Sequence, residues 1–149
     1  MDIKYIKDRL SSLRLLYVED NRDLREKNLD IFSELFYDTK SASNGYEGLK
    51  IYKNSDIDLV ITDLNMPIMS GFEMLKRIKL IDSNQKCIIY SAYNELDYYS
   101  KLKELNINKF LKKPINSSIL LDEIIKVVDS SNRVDIRVDW LLYFLFLIS

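Results

Sequence analysis

The stretch ITDLNMPIMSG, residues 61–71, leaves an apolar run and stops at an acid. Leu59, Val60, Ile61 and Thr62 read as the end of a buried strand. Asp63 follows at once, and Met66-Pro67 and Ser70-Gly71 then mark a loop and the start of a helix. A strand that hands a single carboxylate to such a loop suits an open parallel α/β sheet, where chemistry collects beyond the carboxyl ends of the strands.

The same grammar recurs on both sides. Apolar runs rich in Val, Ile, Leu and aromatics stand at 13–18, 57–62, 86–91 and 107–111, with a weaker one at 36–42. Between them, residues recur at helical spacing. Leu24, Asn28, Ile31, Phe32 and Leu35 share one side of 22–35, and Leu49, Ile51 and Tyr52 one side of 45–54. Phe72, Leu75, Ile78 and Ile81 do so in 72–81, and Leu96, Tyr99, Leu102 and Leu105 in 95–105. Ile119, Leu120, Ile124, Val127 and Val128 do so in 117–128. Single helices between strands buried on both faces predict a three-layer, doubly wound (βα)5 parallel sheet with right-handed crossovers. Residues 1–12 read as an N-terminal extension with a helix near 3–11, residues 13–129 as one domain, and 130–149 as an apolar tail without a complete second domain.

Composition narrows the chemistry. With 22 Lys and Arg against 23 Asp and Glu, the net charge of −1 offers no global attraction to nucleic acid or an anionic membrane. The absence of histidine excludes His-based catalysis and His metal ligands, so a metal here would take oxygen donors, as Mg²⁺ does. The lone Cys87, in the run CIIY, reads as inert core and fits a reducing compartment. The lysines spread over the helices read as solvated faces. The tail run WLLYFLFLI, 140–148, falls short of the roughly 20 residues a spanning helix needs. It reads as a segment packed on the domain or on a second copy, with a remnant of a downstream domain or a membrane-touching anchor as the alternatives.

Each strand end carries something polar. Glu19 and Asp20 follow the first strand, Asp63 the third and Ser91 the fourth; Lys112, Lys113 and Pro114 follow the fifth. Carboxylates crowded into one crevice raise each other's pKa, and a divalent cation or a lysine ammonium relieves them. Mg²⁺, Lys and a hydroxyl together suit a phosphoryl group, and a covalent phosphoryl needs a carboxylate nucleophile, for which Asp63 is placed.

These residues resemble the receiver domain of two-component response regulators. LLYVEDN (15–21) is similar to that family's first strand and acidic pair, ITDLNMPIMSG to its phosphoacceptor loop, and IIYSA (88–92) and FLKKP (110–114) to its last two signatures. The resemblance implies the flavodoxin-like strand order 2-1-3-4-5. It implies Asp63 as phosphoacceptor, with the phosphoryl coming from a phosphohistidine on a histidine kinase or a His phosphotransfer protein. Asp20, Asp63 and the backbone carbonyl of Asn65 would ligate Mg²⁺, with Glu19 acting through a water. Lys113, Ser91 and the Ala92 N–H would hold the phosphoryl, Phe110 would be the switch aromatic, and the Lys113–Pro114 bond would be cis.

The output surface implied is the helix near 95–105, the strand near 107–111 and the helix near 117–128. It would serve a downstream partner or a homodimer, with Tyr93, Tyr98 and Tyr99 exposed beside it. The resemblance also implies a cytoplasmic phospho-switch rather than an enzyme with its own substrate. An aspartyl-phosphate phosphatase usually has a second Asp two residues on, and Asn65 stands there. The front part of a longer DNA-binding regulator and a degenerate receiver acting as a dimerisation scaffold remain as alternatives.

Overall fold

In a computed structural model, which describes residues 2–92, 95–130 and 147–148, the sheet is five-stranded and parallel in the order β2-β1-β3-β4-β5. The strands are β1 (Arg14–Val18), β2 (Asp38–Ala42), β3 (Leu59–Thr62), β4 (Lys86–Ser91) and β5 (Lys109–Lys112). The helices are α1 (Ile3–Leu10), α2 (Arg22–Leu35), α3 (Gly45–Lys53), α4 (Gly71–Ile81), α5 (Glu95–Glu104) and α6 (Ser117–Asp129).

The period-two alternation of the strands sorts the core into two layers. Leu15, Tyr17, Leu59, Ile61, Ile88, Tyr90 and Leu111 face Ile6, Leu10, Phe32, Leu35, Leu120 and Ile124 of α1, α2 and α6. Leu16, Val18, Val60, Cys87 and Ile89 face Leu49, Tyr52, Met74, Leu75, Ile78 and Leu102 of α3, α4 and α5. Side-chain caps start the helices. Asn21, Asn44, Ser70 and Asn116 accept from the backbone N–H of Leu24, Glu47, Glu73 and Ile119, so the chain reversals into α2, α3, α4 and α6 are written locally.

Four expectations need correcting. Ile81 and Ile119 are 54% and 50% exposed: Ile81 is the last residue of α4, past the stripe of Met74, Leu75 and Ile78, and in α6 Leu120 and Leu121 take the inward positions instead of Ile119. Lys79 is not a solvated helix charge: its ammonium donates to the carbonyls of Gln85 (2.6 Å), Asn106 (3.2 Å) and Ser83 (3.5 Å). Tyr98 is half-buried rather than exposed, packed on the α3–α5 layer. Tyr93, the side chains of Leu96 and Tyr99, and the readings of the tail over 131–146 lie outside the described residues.

The N-terminal helix packs on α6 and α2 through Ile6 and Leu10, and Arg9 pairs with Asp129 at the end of α6. Lys86, opening β4, donates to the carbonyls of Val128 (2.9 Å) and Ser130 (3.0 Å). These contacts close the amino-terminal edge of the sheet and leave the opposite edge to the loops. No helix among the described residues is long and apolar enough to cross a membrane.

Candidate functional site

At the carboxyl edge, the ladder itself aligns the polar residues. Val18 is level with Thr62, and Thr62 with Ile89, so Glu19 and Asp63 leave adjacent strands together. The Asp63 N–H bonds the Val18 carbonyl (3.1 Å) and the Glu19 N–H bonds the Ala42 carbonyl (3.1 Å), which prolongs both pairings into the site. Lys113 does the same from β5, its N–H donating to the Ser91 carbonyl at 2.8 Å. Its bond to Pro114 is cis, as expected.

The loop after Asp63 is tightly closed. The Gly71 N–H reaches the Leu64 carbonyl at 2.7 Å, and Thr62 Oγ1 donates to the Asp63 carbonyl at 2.8 Å. Gly71 lies so near that carbonyl that a Cβ would sit 1.7 Å from its oxygen, which is why no larger residue fits there. On its other side the loop is riveted to α3 by Gly45 N–H to the Met69 carbonyl, 2.9 Å. Ile68 in this loop has φ 71, a left-handed conformation unusual for a β-branched residue, and is 83% exposed.

Three carboxylates converge on this frame. Glu19, Asp20 and Asp63 each offer an oxygen, all lying within 4.8 Å of one another. Glu19 is buried, Asp63 half-buried and Asp20 exposed, so the nest opens to solvent on the Asp20 side. Asp63 Oδ1 accepts from the Leu64 N–H (2.6 Å), which fixes the carboxylate plane. Its Oδ2 accepts from Lys113 Nζ at 2.8 Å. The same ammonium bonds Glu19 Oε1 and lies 5.4 Å from the centre of the Tyr90 ring. Burial pushes the Glu19 carboxyl up to about 7 despite the Lys113 ammonium, and Asp63 adds to the push. Burial opposes the charge on Lys113 too, but its bonds to Asp63 and Glu19 outweigh that, and its pKa lies above the ordinary lysine value.

Ser91 is fully buried at the same edge, two residues beyond Ile89, and Ala92 is exposed just after it. Phe110 is half-buried and packs against the α3–α5 layer. Asn65 is exposed, its side-chain amide donating to Tyr98 Oη at 3.0 Å.

Two contributors escaped the sequence reading. Arg25, in the second turn of α2, donates from Nη1 to the backbone carbonyls of Glu19 (2.6 Å) and Asp20 (3.3 Å) and so braces the acidic corner. Its signal was its place just after two acids at a capped helix start. Tyr90 shields the Lys113 ammonium, and nothing in its apolar run distinguishes it from core.

A family model described as the response regulator receiver domain matches residues 15–125. The chain is 36% identical over 113 residues to the sporulation initiation phosphotransferase F of Bacillus subtilis, covering 76% of this chain and 91% of that protein. It is 31% identical over 122 residues to the chemotaxis protein CheY of Thermotoga maritima, covering 81% and 96%. Among solved structures it is similar to the N-terminal domain of an uncharacterized protein from Wolinella succinogenes, with 37% identity, TM-score 0.72 and coverage of 78% and 94%. It is also similar to the response regulator TrrA of Thermotoga maritima in complex with Mg²⁺ and BeF, with 31% identity, TM-score 0.68 and coverage of 77% and 98%.

Proposed function

Because the chain belongs to the response regulator receiver domain family, we propose that it is a phospho-switch whose Asp63 accepts a phosphoryl group from a phosphohistidine on a histidine kinase or phosphotransfer protein. The observation that carries this reading is the reach of Lys113 across the sheet to both Asp63 and Glu19. A lysine so placed can neutralise a carboxylate at rest and a phosphoryl oxygen afterwards.

The donor set fits a hard divalent cation: three converging carboxylates, one of them pushed toward neutrality by burial. Asp20, Asp63 and the Asn65 backbone carbonyl would hold Mg²⁺, with Glu19 acting through a water. When bound, the ion supplies positive charge to the phosphoryl oxygens and eases repulsion among the acids.

The chain's own residues do the rest. The Leu64 N–H holds Oδ1, so Oδ2 is the oxygen left to attack. A bond forms from Oδ2 to phosphorus as the bond from phosphorus to the donor imidazole nitrogen breaks, and that nitrogen leaves with the electron pair. Lys113 transfers its hydrogen bond from Oδ2 to a phosphoryl oxygen, and positioning with charge stabilisation supplies most of the rate. The Ser91 hydroxyl and Ala92 N–H then bond the phosphoryl, and Phe110 follows into the space Ser91 vacates, held by packing because it has no hydroxyl.

The surface of α5, β5 and α6 changes as a result and reaches a downstream protein or a second copy, in the cytoplasm with the donor. The near-neutral charge supports a protein rather than a nucleic acid as the target of this segment. No separate substrate is turned over; phosphotransfer to self and its hydrolysis are the only chemistry.

Incubation with Mg²⁺ and acetyl phosphate or phosphoramidate, followed by intact-mass measurement, tests the reading. One phosphoryl adduct is expected, absent in Asp63→Asn and absent when the metal is chelated. An unmodified wild-type mass, or an adduct that persists in Asp63→Asn, overturns it.

A further inference from the structure

Asn65 and Tyr98 join two parts of the molecule that sequence separates by a whole α/β unit. Asn65 stands two residues after Asp63, in a loop whose backbone is pinned at Leu64, Met69 and Gly71. The Asn65 side chain itself is exposed. Its amide donates to Tyr98 Oη on α5 at 3.0 Å. Tyr98 is half-buried and packs against the apolar layer under α3, α4 and α5, so its hydroxyl is presented from a packed base. One turn further along α5, the Lys101 ammonium lies 5.7 Å from the centre of the Phe72 ring in the first turn of α4. The inward side of α5 is thus tied to the acceptor loop and to the helix that follows it.

We infer that Tyr98 is a positioning residue: through Asn65 it latches α5 to the acceptor loop in the unphosphorylated chain, and the phosphoryl on Asp63 releases it by competing for the same amide donor. This rests on the phospho-switch reading above. A tyrosine hydroxyl is a neutral acceptor, whereas a phosphoryl oxygen is charged, and charge-assisted hydrogen bonds are about twice as strong. An Asn65 amide that turns to the phosphoryl leaves Tyr98 without that donor, and α5 loses one of its ties. The route is separate from the Ser91–Phe110 route, because it runs through the loop after β3 and not through β4 and β5. It also gives the chain a hydroxyl-based link to its output surface that Phe110 cannot make.

The test is hydrogen exchange of α5 peptides, read by mass spectrometry on the full chain. Wild type, Tyr98→Phe, Asn65→Ala and the double variant are compared before and after loading with phosphoramidate and Mg²⁺. Tyr98→Phe keeps the ring and removes the hydroxyl that accepts from Asn65.

In the unmodified chain each single variant is expected to raise α5 exchange about fivefold, the factor one net hydrogen bond is worth. The double variant should go no further. Phosphorylation should raise exchange in wild type and add markedly less in either single variant. Wild-type exchange in unmodified Tyr98→Phe, additive effects in the double variant, or an undiminished phosphorylation increment in Tyr98→Phe would each overturn the latch. If wild type takes up no phosphoryl, the phospho-switch reading falls. The unmodified arm then still decides the contact: non-additive loosening supports the latch and wild-type exchange overturns it.

Discussion

Lysines stand at both ends of the sheet and do opposite work. At the amino-terminal edge, Lys79 and Lys86 give their ammonium groups to backbone carbonyls of Gln85, Asn106, Val128 and Ser130. At the carboxyl edge, Lys113 gives its ammonium to the carboxylates of Glu19 and Asp63. A carbonyl cannot be titrated or modified in place, so the first arrangement has one state. A carboxylate can be protonated, ligate a metal or carry a phosphoryl, so the second can be switched. The same residue type is a rivet where its partners are fixed dipoles and a partner to titratable charges where they are carboxylates.

That contrast can be broken most forcefully at Lys113. Lys113→Ala is expected to slow phosphoryl uptake from phosphoramidate on the order of 100-fold, as loss of one preorganised donor does. Uptake at the wild-type rate would show that the ammonium stabilises only the resting carboxylates.

The next effect is in pH dependence. Burial lifts Glu19 from an ordinary 4.5 to about 7, so its protonated form favours the fold. That contribution is complete below about pH 4.5 and is lost as pH rises through 7. In metal-free urea titrations, the stability of wild type relative to Glu19→Gln should fall by roughly 3 kcal/mol between about pH 4 and pH 8. A flat difference would mean the Lys113 pairing fully offsets burial.

At the other end, Lys79→Met should cost about 2 kcal/mol in the same titrations, because carbonyls lose a charged donor. It should do so equally across that pH range and leave phosphoryl uptake unchanged. A pH-dependent loss would erase the distinction between the two ends. Lys86→Met should behave likewise and cost less, since its ammonium bonds two carbonyls rather than three.

The architecture was legible because it is written in local patterns. Apolar strand runs ended at polar residues and apolar residues recurred at helical spacing between them, and each of these is a neighbour-scale signal. Glu19, Asp20, Asp63, Ser91 and Lys113 were found for the same reason: strand-end positions in a parallel sheet share one edge whatever their separation in the chain. Ile81 was misassigned because periodicity does not say where a helix outruns the core, and Ile119 because Leu120 and Leu121 beside it compete for the same apolar stripe. Arg25 and Lys79 were missed because long cationic side chains carry no local mark of where their heads go.

By itself, then, the sequence determined the strand and helix order, the sheet edge where the acids gather and Asp63 as the carboxylate at the loop. These depend on hydrophobic periodicity, capping and turn chemistry, which act between residues a few positions apart. Only the tertiary structure decided that Lys113 sits between Glu19 and Asp63, that Arg25 braces the acidic corner from behind, and that Asn65 reaches Tyr98. Those contacts join residues brought together by packing, and flexible polar side chains choose partners only after the backbone has placed the candidates within reach.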